Sequence, residues 1–271
     1  GQTYTVMPSS TTKKVKFIRK SSETSHSFFL SNTALSGTRV YKNLIIDGFV
    51  GSAGTGAYKA NGGIHSFENC DFYGNINSTG NGGAILVSSS TTVNLTGCTI
   101  GSSAKPNSCG KDGGAIYVDN NGTLKLLGTE NNISYNIAGI SNGLTEAKGG
   151  AISVGSQATF VMEGGTISNN GIGNSSGNAT NLAGKGGNIY VASGTTIFDF
   201  EGGTVSNGTF WTGTSGTGNA SDLGFNIYSE GSLRLKQNSN LVVSTTSNAY
   251  DKYSVYATKE ITNLSNTAIT L

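Results

Sequence analysis

The sequence predicts an all-β fold, a single-domain right-handed parallel β-helix with three short strands per coil and terminal caps. Three observations carry that expectation. Gly-Gly-Ala-Ile occurs at Gly82-Gly83-Ala84-Ile85, Gly113-Gly114-Ala115-Ile116 and Gly149-Gly150-Ala151-Ile152, then as Gly186-Gly187-Asn188-Ile189 and, decayed, as Gly224-Phe225-Asn226-Ile227. A second apolar anchor follows each Ile at near-constant distance: Ile100, Ile133, Ile167 and Val205, after 15, 17, 15 and 16 residues. The composition is the third. Of 271 residues 41 are Gly and 2 are Pro, and 12% are charged. That much Gly opposes long helices, and a collagen would need a three-residue Gly period with abundant Pro.

The elements follow in order. Each Ile opens an Ile-x-Val-type strand. Between the two anchors lies an alternating strand: Val93-Asn94-Leu95, Leu124-Lys125-Leu126, Phe160-Val161-Met162, Phe198-Asp199-Phe200 and Leu233-Arg234-Leu235. Apolar residues at i and i+2 mark a strand with one buried face. The second anchor sits in the third strand. An upstream coil fits at Gly56-Ala57-Tyr58, Phe67 and Cys70-Asp71-Phe72, and Asn43-Leu44-Ile45-Ile46-Asp47-Gly48 reads as the third strand of an earlier one. Strands this short cannot bury an apolar face alone, whereas stacked copies pairing in parallel can. Right-handedness follows from the preference of parallel crossovers. A propeller blade has a similar length of about 40–45 residues, but the segment between second anchor and next Gly-Gly grows from 12 residues at 101–112 to 18 at 206–223. A solenoid accepts that variation along one edge. The boundaries are therefore one domain over 1–271, with 1–40 an N-terminal cap, 41–241 the coils and 242–271 C-terminal strands or cap. Lys13, Lys14, Lys16, Arg19 and Lys20 around Val15, Phe17 and Ile18 read as a charged edge strand.

Charge and composition exclude several partners. A net charge of +2 gives no global field for nucleic acid, and no apolar run approaches the ~20 residues that span a bilayer. The expectation is a monomer with no nucleic-acid partner, no cofactor and no metal. Gly1-Gln2 reads as a processed end, with any signal peptide or anchor lying outside it.

The repeated Gly-Gly-Ala-Ile, with Phe72-Tyr73-Gly74-Asn75 as a Phe-x-x-Asn partner and Ile133-Ser134-Tyr135-Asn136 and Ile167-Ser168-Asn169-Asn170 as variants, resembles the polymorphic outer-membrane-protein repeat of bacterial autotransporter passengers. The likeness covers roughly 43–241. It implies a β-helix exposed on a bacterial surface and, as in several members, adhesion to host cells through a protein or glycan receptor. A lipid- or wall-anchored surface protein sharing the repeat fits the same motifs.

Enzyme chemistry has one candidate. The register stacks Glu163 on Glu201, with Glu68 at the same place in an earlier coil, and puts Asp199 on the same face. Such carboxylates could serve as an acid/base pair or hold Ca²⁺. A solvated ladder explains them as well, and no Arg, Lys or His is expected to join them. The preferred reading is no catalytic residue, with a polysaccharide lyase or glycoside hydrolase using Glu163, Asp199 and Glu201 as the rival and a passive spacer as a third possibility. Two surfaces could bind. One is the outward position of Ile-x-Val (Leu86, Tyr117, Ser153, Tyr190, Tyr228), where exposed tyrosines could stack on sugars. The other is the loop set 101–112, 134–148, 168–185 and 206–223, with Phe210 and Trp211 as either a contact or a plug. Lys111, Lys148 and Lys185 read as an exposed ladder at the loop exits. His65 falls at an inward position. Cys70 and Cys98 stack in adjacent coils as a buried thiol ladder or a disulfide, and Cys109 could instead pair with Cys98. Thr91-Thr92 and Thr195-Thr196 do not repeat as an ice-binding face requires.

Overall fold

The computed structural model describes residues 2–9, 13–19, 29–30, 36–48, 56–141, 144–173, 183–210, 224–236, 242–244 and 254–264. Among them there is no helix, and therefore none long and apolar enough to cross a membrane. The chain is a parallel β-helix. Three long sheets run along it, named here I, II and III in the order each coil visits them from its Gly-Gly pair. Sheet I has eight strands, from Phe29–Leu30 through Ile85–Val87, Ile116–Val118, Ile152–Val154 and Ile189–Val191 to Val255–Ala257; sheet II has nine, from Thr3–Val6 to Thr262–Asn263; sheet III has eight, from Val15–Ile18 to Val242–Ser244. The strands within them pair in parallel, each with its copy in the next coil.

The register is the one the motifs predict. Ile85, Ile116, Ile152, Ile189 and Ile227 stack in sheet I. Val93, Leu124, Phe160, Phe198 and Leu233 stack in sheet II, and Ile100, Ile133, Ile167 and Val205 in sheet III. All are fully or nearly fully buried. Each such side chain removed from water contributes about 1.5–3 kcal/mol. Phe160 and Phe198 add face-to-face stacking at 4.6 Å between centroids. The ladder also reaches into the segment expected as an N-terminal cap: Thr3–Val6 pairs with Thr38–Lys42 and Val15–Ile18 with Leu44–Asp47.

The Gly-Gly pair has two different tasks, seen at Gly113-Gly114. Gly113 lies at φ +69°, a conformation side chains disfavour, and a Cβ there would meet the Ile116 carbonyl at 2.2 Å. Gly114 is needed for approach rather than torsion, since a Cβ would sit 2.1 Å from the Gly150 carbonyl of the next coil. The coil at Gly224 keeps the first glycine, at φ +56°, and has Phe225 at the second place.

Two features exceed the three-strand expectation. A fourth ladder runs along the variable edge: Ile76–Asn77, Ser108–Cys109, Ile137–Ala138, Gly171–Ile172 and Thr209–Phe210. Further out, Glu146–Lys148 pairs with Ala183–Lys185 as a two-stranded ribbon. Between ladder and ribbon lies a second small core of Cys109, Ala138, Ala147 and Ile172, with Leu144 and Phe210 against it.

The second feature is a buried amide ladder. Asn75 donates to Asn107 (2.8 Å), Asn107 to Asn136 (2.9 Å), Asn136 to Asn170 (2.9 Å), Asn170 to Asn188 (2.8 Å), Asn188 to Asn226 (2.6 Å) and Asn226 to Ser254 (2.7 Å). The six asparagines have no solvent exposure, so each amide depends on its neighbours. The asparagine of Phe-x-x-Asn is therefore a structural residue. At the fourth link, from Asn170 to Asn188, the ladder changes wall: Asn188 occupies the place of Ala151, while Gly208 occupies the place of Asn170. The Gly208 N–H donates to the Asn226 Oδ1 just as that of Asn170 does to Asn188.

Candidate functional site

The carboxylate cluster departs from expectation. Leu233-Arg234-Leu235 pairs with Phe198-Asp199-Phe200, which sets Arg234 directly against Asp199. Arg234 donates to both Asp199 oxygens, at 2.5 and 2.7 Å. Lys236 reaches Asp199 at 2.7 Å and Glu201 at 3.1 Å. Arg and Lys thus join a cluster expected to lack them, because the next coil supplies them in register. Burial alone would raise the Asp199 carboxyl, but the hydrogen bonds and charges of Arg234 and Lys236 outweigh it and hold the group below the usual carboxylate range. Glu163 turns the other way and accepts the Gly128 N–H at 3.0 Å. Asp199 and Glu201 share Lys236 while Glu163 has a different partner, and Asp199 is held as a paired anion with no proton to offer near neutrality.

The tyrosine row is also different from an exposed platform. Tyr190 and Tyr228 are only 5% and 7% exposed; Tyr117 is half-buried. Tyr190 stacks on Tyr228 at 6.0 Å between centroids, and Tyr228 on Tyr256 at 4.9 Å. The cause is the ribbon: Lys148 lies over the Tyr190 ring and Lys185 over that of Tyr228, each at 5.2 Å. Glu146 and Glu230 hold the two ammoniums, and the Tyr190 hydroxyl donates to Glu230 at 2.8 Å. Burial, reinforced by that carboxylate, pushes the Tyr190 phenol above the ordinary tyrosine range. Lys148 and Lys185 are consequently half-buried in a charge network rather than a free ladder. Tyr190 and Tyr228 offer no open face to a sugar.

The remaining expectations fall as follows. Phe210 packs edge-on against Phe225 at 5.0 Å and lies, partly buried, against the second core. Trp211 lies outside the described residues. Cys70, Cys98 and Cys109 are free and buried, and burial pushes their thiols up to about 11, about 12 and about 12. His65 is fully buried; its Nδ1 lies 2.6 Å from the Tyr58 hydroxyl and its Nε2 2.8 Å from the Gly62 carbonyl. Burial lowers its pKa, so the ring is a neutral core residue.

The structure brings together one group that the sequence expectations miss. A cleft of about 380 Å³ is lined by Lys16, Ile45, Asp47, Tyr73, Ser102, Ala104 and Lys105. Lys16 and Lys105 both reach Asp47 Oδ2, at 2.8 and 2.6 Å. The Asp47 side chain is 3% exposed, while the two lysines are 44% and 42% exposed. Nearby, Lys14 pairs with Asp71 at 2.7 Å. The signal in the sequence is a spacing. Asn75, Asn136 and Asn170 each follow their apolar anchor by three residues, whereas Asn107 follows Ile100 by seven.

These features define the class of the chain as a parallel β-helix solenoid with one varied edge. No family model matches it, and no curated protein and no solved structure is significantly similar to it.

Proposed function

We propose that the protein is a bacterial cell-surface solenoid of adhesin or stalk type, which recognises glycans through its variable edge and does not cleave them. One observation carries this reading. Length changes in the repeat are concentrated between the third strand and the next Gly-Gly, while the three sheets keep a constant register. A scaffold held constant beside a varied edge is the arrangement by which repeat proteins present binding surfaces. The edge is also built rather than slack, with its own ladder and small core. The likeness of Gly-Gly-Ala-Ile and Phe-x-x-Asn to the polymorphic outer-membrane-protein repeat supports the bacterial-surface part, and the pairing of Asp199 supports the absence of cleavage.

The test is electrophoresis of the purified chain through native gels cast with polysaccharides, followed by staining for clearing. Retardation without clearing is expected in at least one gel. Clearing would restore the carbohydrate-active alternative and place Glu163, Asp199 and Glu201 first. Absence of both across neutral and acidic polymers would remove glycan recognition and leave a protein receptor or a spacer.

A further inference from the structure

The variable segment 101–112 does more than lengthen a loop. Its extra residues close a turn in which Ser102 N–H donates to the Lys105 carbonyl (3.3 Å) and Lys105 N–H to that of Ser102 (3.1 Å) and to its hydroxyl (3.1 Å). The Lys105 carbonyl accepts the Gly74 N–H of the preceding coil at 3.2 Å, and its side chain reaches Asp47, one coil further back. Asn107 nevertheless keeps its place in the amide ladder. None of residues 102–106 joins the buried core. What the insertion adds is the Lys105 side of the cleft.

The cleft's chemistry points to an anion. Among the described residues two ammoniums share one carboxylate oxygen, which sets two cationic donors on a single carboxylate. Each ammonium has three donors on a side chain that is about two-fifths exposed, whereas the Asp47 side chain is almost wholly covered. Asp47 therefore acts as a fixed post that holds two donors ready, and donors held in place bind with less loss of side-chain freedom. Beside the charges lie Tyr73, Ile45 and Ala104, an aromatic and aliphatic wall, with the Ser102 hydroxyl at the rim. The volume falls at the small end of the ~300–1,000 Å³ usual for ligand sites. A flat ring with an apolar face, a hydroxylated edge and one acidic substituent matches every part of this lining.

We infer that the cleft is a subsite for an acidic sugar residue, a uronate or a sulfated pyranose, whose anionic group bridges Lys16 and Lys105 while its ring lies along Tyr73. This rests on the glycan-recognition reading above. Lys16 and Lys105 are the binding donors, Asp47 is a positioning residue, and the insertion is what separates this coil from its neighbours.

The experiment uses the full chain in native gels containing polygalacturonate, chondroitin sulfate, carboxyl-reduced polygalacturonate or hydroxyethyl cellulose. Retardation by at least one acidic polymer is expected, with Lys105→Gln weakening it more than fivefold and Lys125→Gln, an equal charge change on sheet II, leaving it within twofold. If polygalacturonate is the retarding polymer, its carboxyl-reduced form should lose the effect; if only chondroitin sulfate retards, sulfate is the recognised group. Lys105→Gln keeps Lys16 on Asp47. A second variant, Ala104→Trp, fills the cleft from an exposed position without touching the ion pair and should weaken retention to a similar degree. Equal retention of Lys105→Gln and the parent overturns the subsite, as does equal loss in Lys125→Gln, which would mean bulk charge. Retardation only by hydroxyethyl cellulose overturns the subsite and leaves the glycan-binding function standing. No retardation in any gel overturns both.

Discussion

Asp47 and Asp199 are the same motif built in two ways, and the difference separates structure from function. Each is a nearly covered carboxylate on the outer face of a sheet, held among the described residues by two cations. At Asp199 both cations come from the adjacent coil in register, Arg234 directly opposite and Lys236 two residues on. At Asp47 Lys16 comes from the preceding coil, but Lys105 arrives from two coils away on an insertion that breaks the repeat. Arg234 is bidentate and Lys236 also ties down Glu201, whereas the two lysines on Asp47 border a cleft. Ladder geometry accounts for the first site completely. It does not account for the second.

The largest effect should come from stripping Asp199 of its cations. Replacing Arg234 and Lys236 together by Ala leaves a covered carboxylate unpaired. A fully buried broken pair costs about 3–5 kcal/mol; discounted because both cations are about a third exposed, the expected loss is about 2–4 kcal/mol in urea unfolding. The pH dependence gives a second handle. The Asp199 carboxyl titrates below its ordinary range, so its contribution is complete above the unfolded-state value of about 3.9 and is lost as pH falls through the folded one. The double variant should flatten that acid limb. A cost below ~1 kcal/mol would make the two sites alike and end the contrast.

Next in size is the amide ladder, the other element that register alone explains. Asn136→Ala removes the donor to Asn170 and the acceptor for Asn107, and should cost about 1–3 kcal/mol for groups left unpaired in the core. Asn188→Ala should cost a comparable amount, although Ala stands at the equivalent place in four coils, because Gly208 leaves no substitute amide on the opposite wall. If Asn188→Ala were neutral, the change of wall would be incidental.

A smaller effect belongs to His65. Its folded pKa lies below the ordinary value because burial disfavours the charged ring. The unfolded chain therefore takes up the proton first, and stability falls as pH drops below about 6.5. Urea midpoints at pH 7.5 and 5.5 should differ more in the parent chain than in His65→Gln. Equal differences would show that the buried ring does not titrate against folding.

How much of this was legible in the sequence follows from the same distinction. The sheets and their register were readable because Gly-Gly-Ala-Ile and the i, i+2 alternation repeat with little change, and steric limits at Gly113 and Gly114 enforce them. Arg234 opposite Asp199 was equally available, since aligning Leu233 with Phe198 aligns the residues that follow. The amide ladder was harder to see. Its asparagines stand three residues after the anchor in some coils, seven after it in another, and before Ile189 and Ile227 in the last two. The covering of Tyr190 and Tyr228 depends on Lys148 and Lys185, which reach them from a ribbon formed within segments of unequal length. Periodicity reports what repeats; the cleft exists because Lys105 does not.

The smallest stability effect is the one that sharpens the comparison most. Lys105→Gln leaves Lys16 on Asp47, and the lost partner belongs to a side chain that is 42% exposed. Its unfolding cost should stay within about 0–1 kcal/mol, the range of surface ion pairs. A site needed for folding could not lose a cation so cheaply, as the Arg234 and Lys236 pair should show. If thermal or urea unfolding moved as far as in that double variant, Lys105 would be a brace holding the insertion to the coils beneath it. If unfolding stays put while retention of an acidic polymer drops, selection for binding is the remaining physical reason for four extra residues that the core does not use.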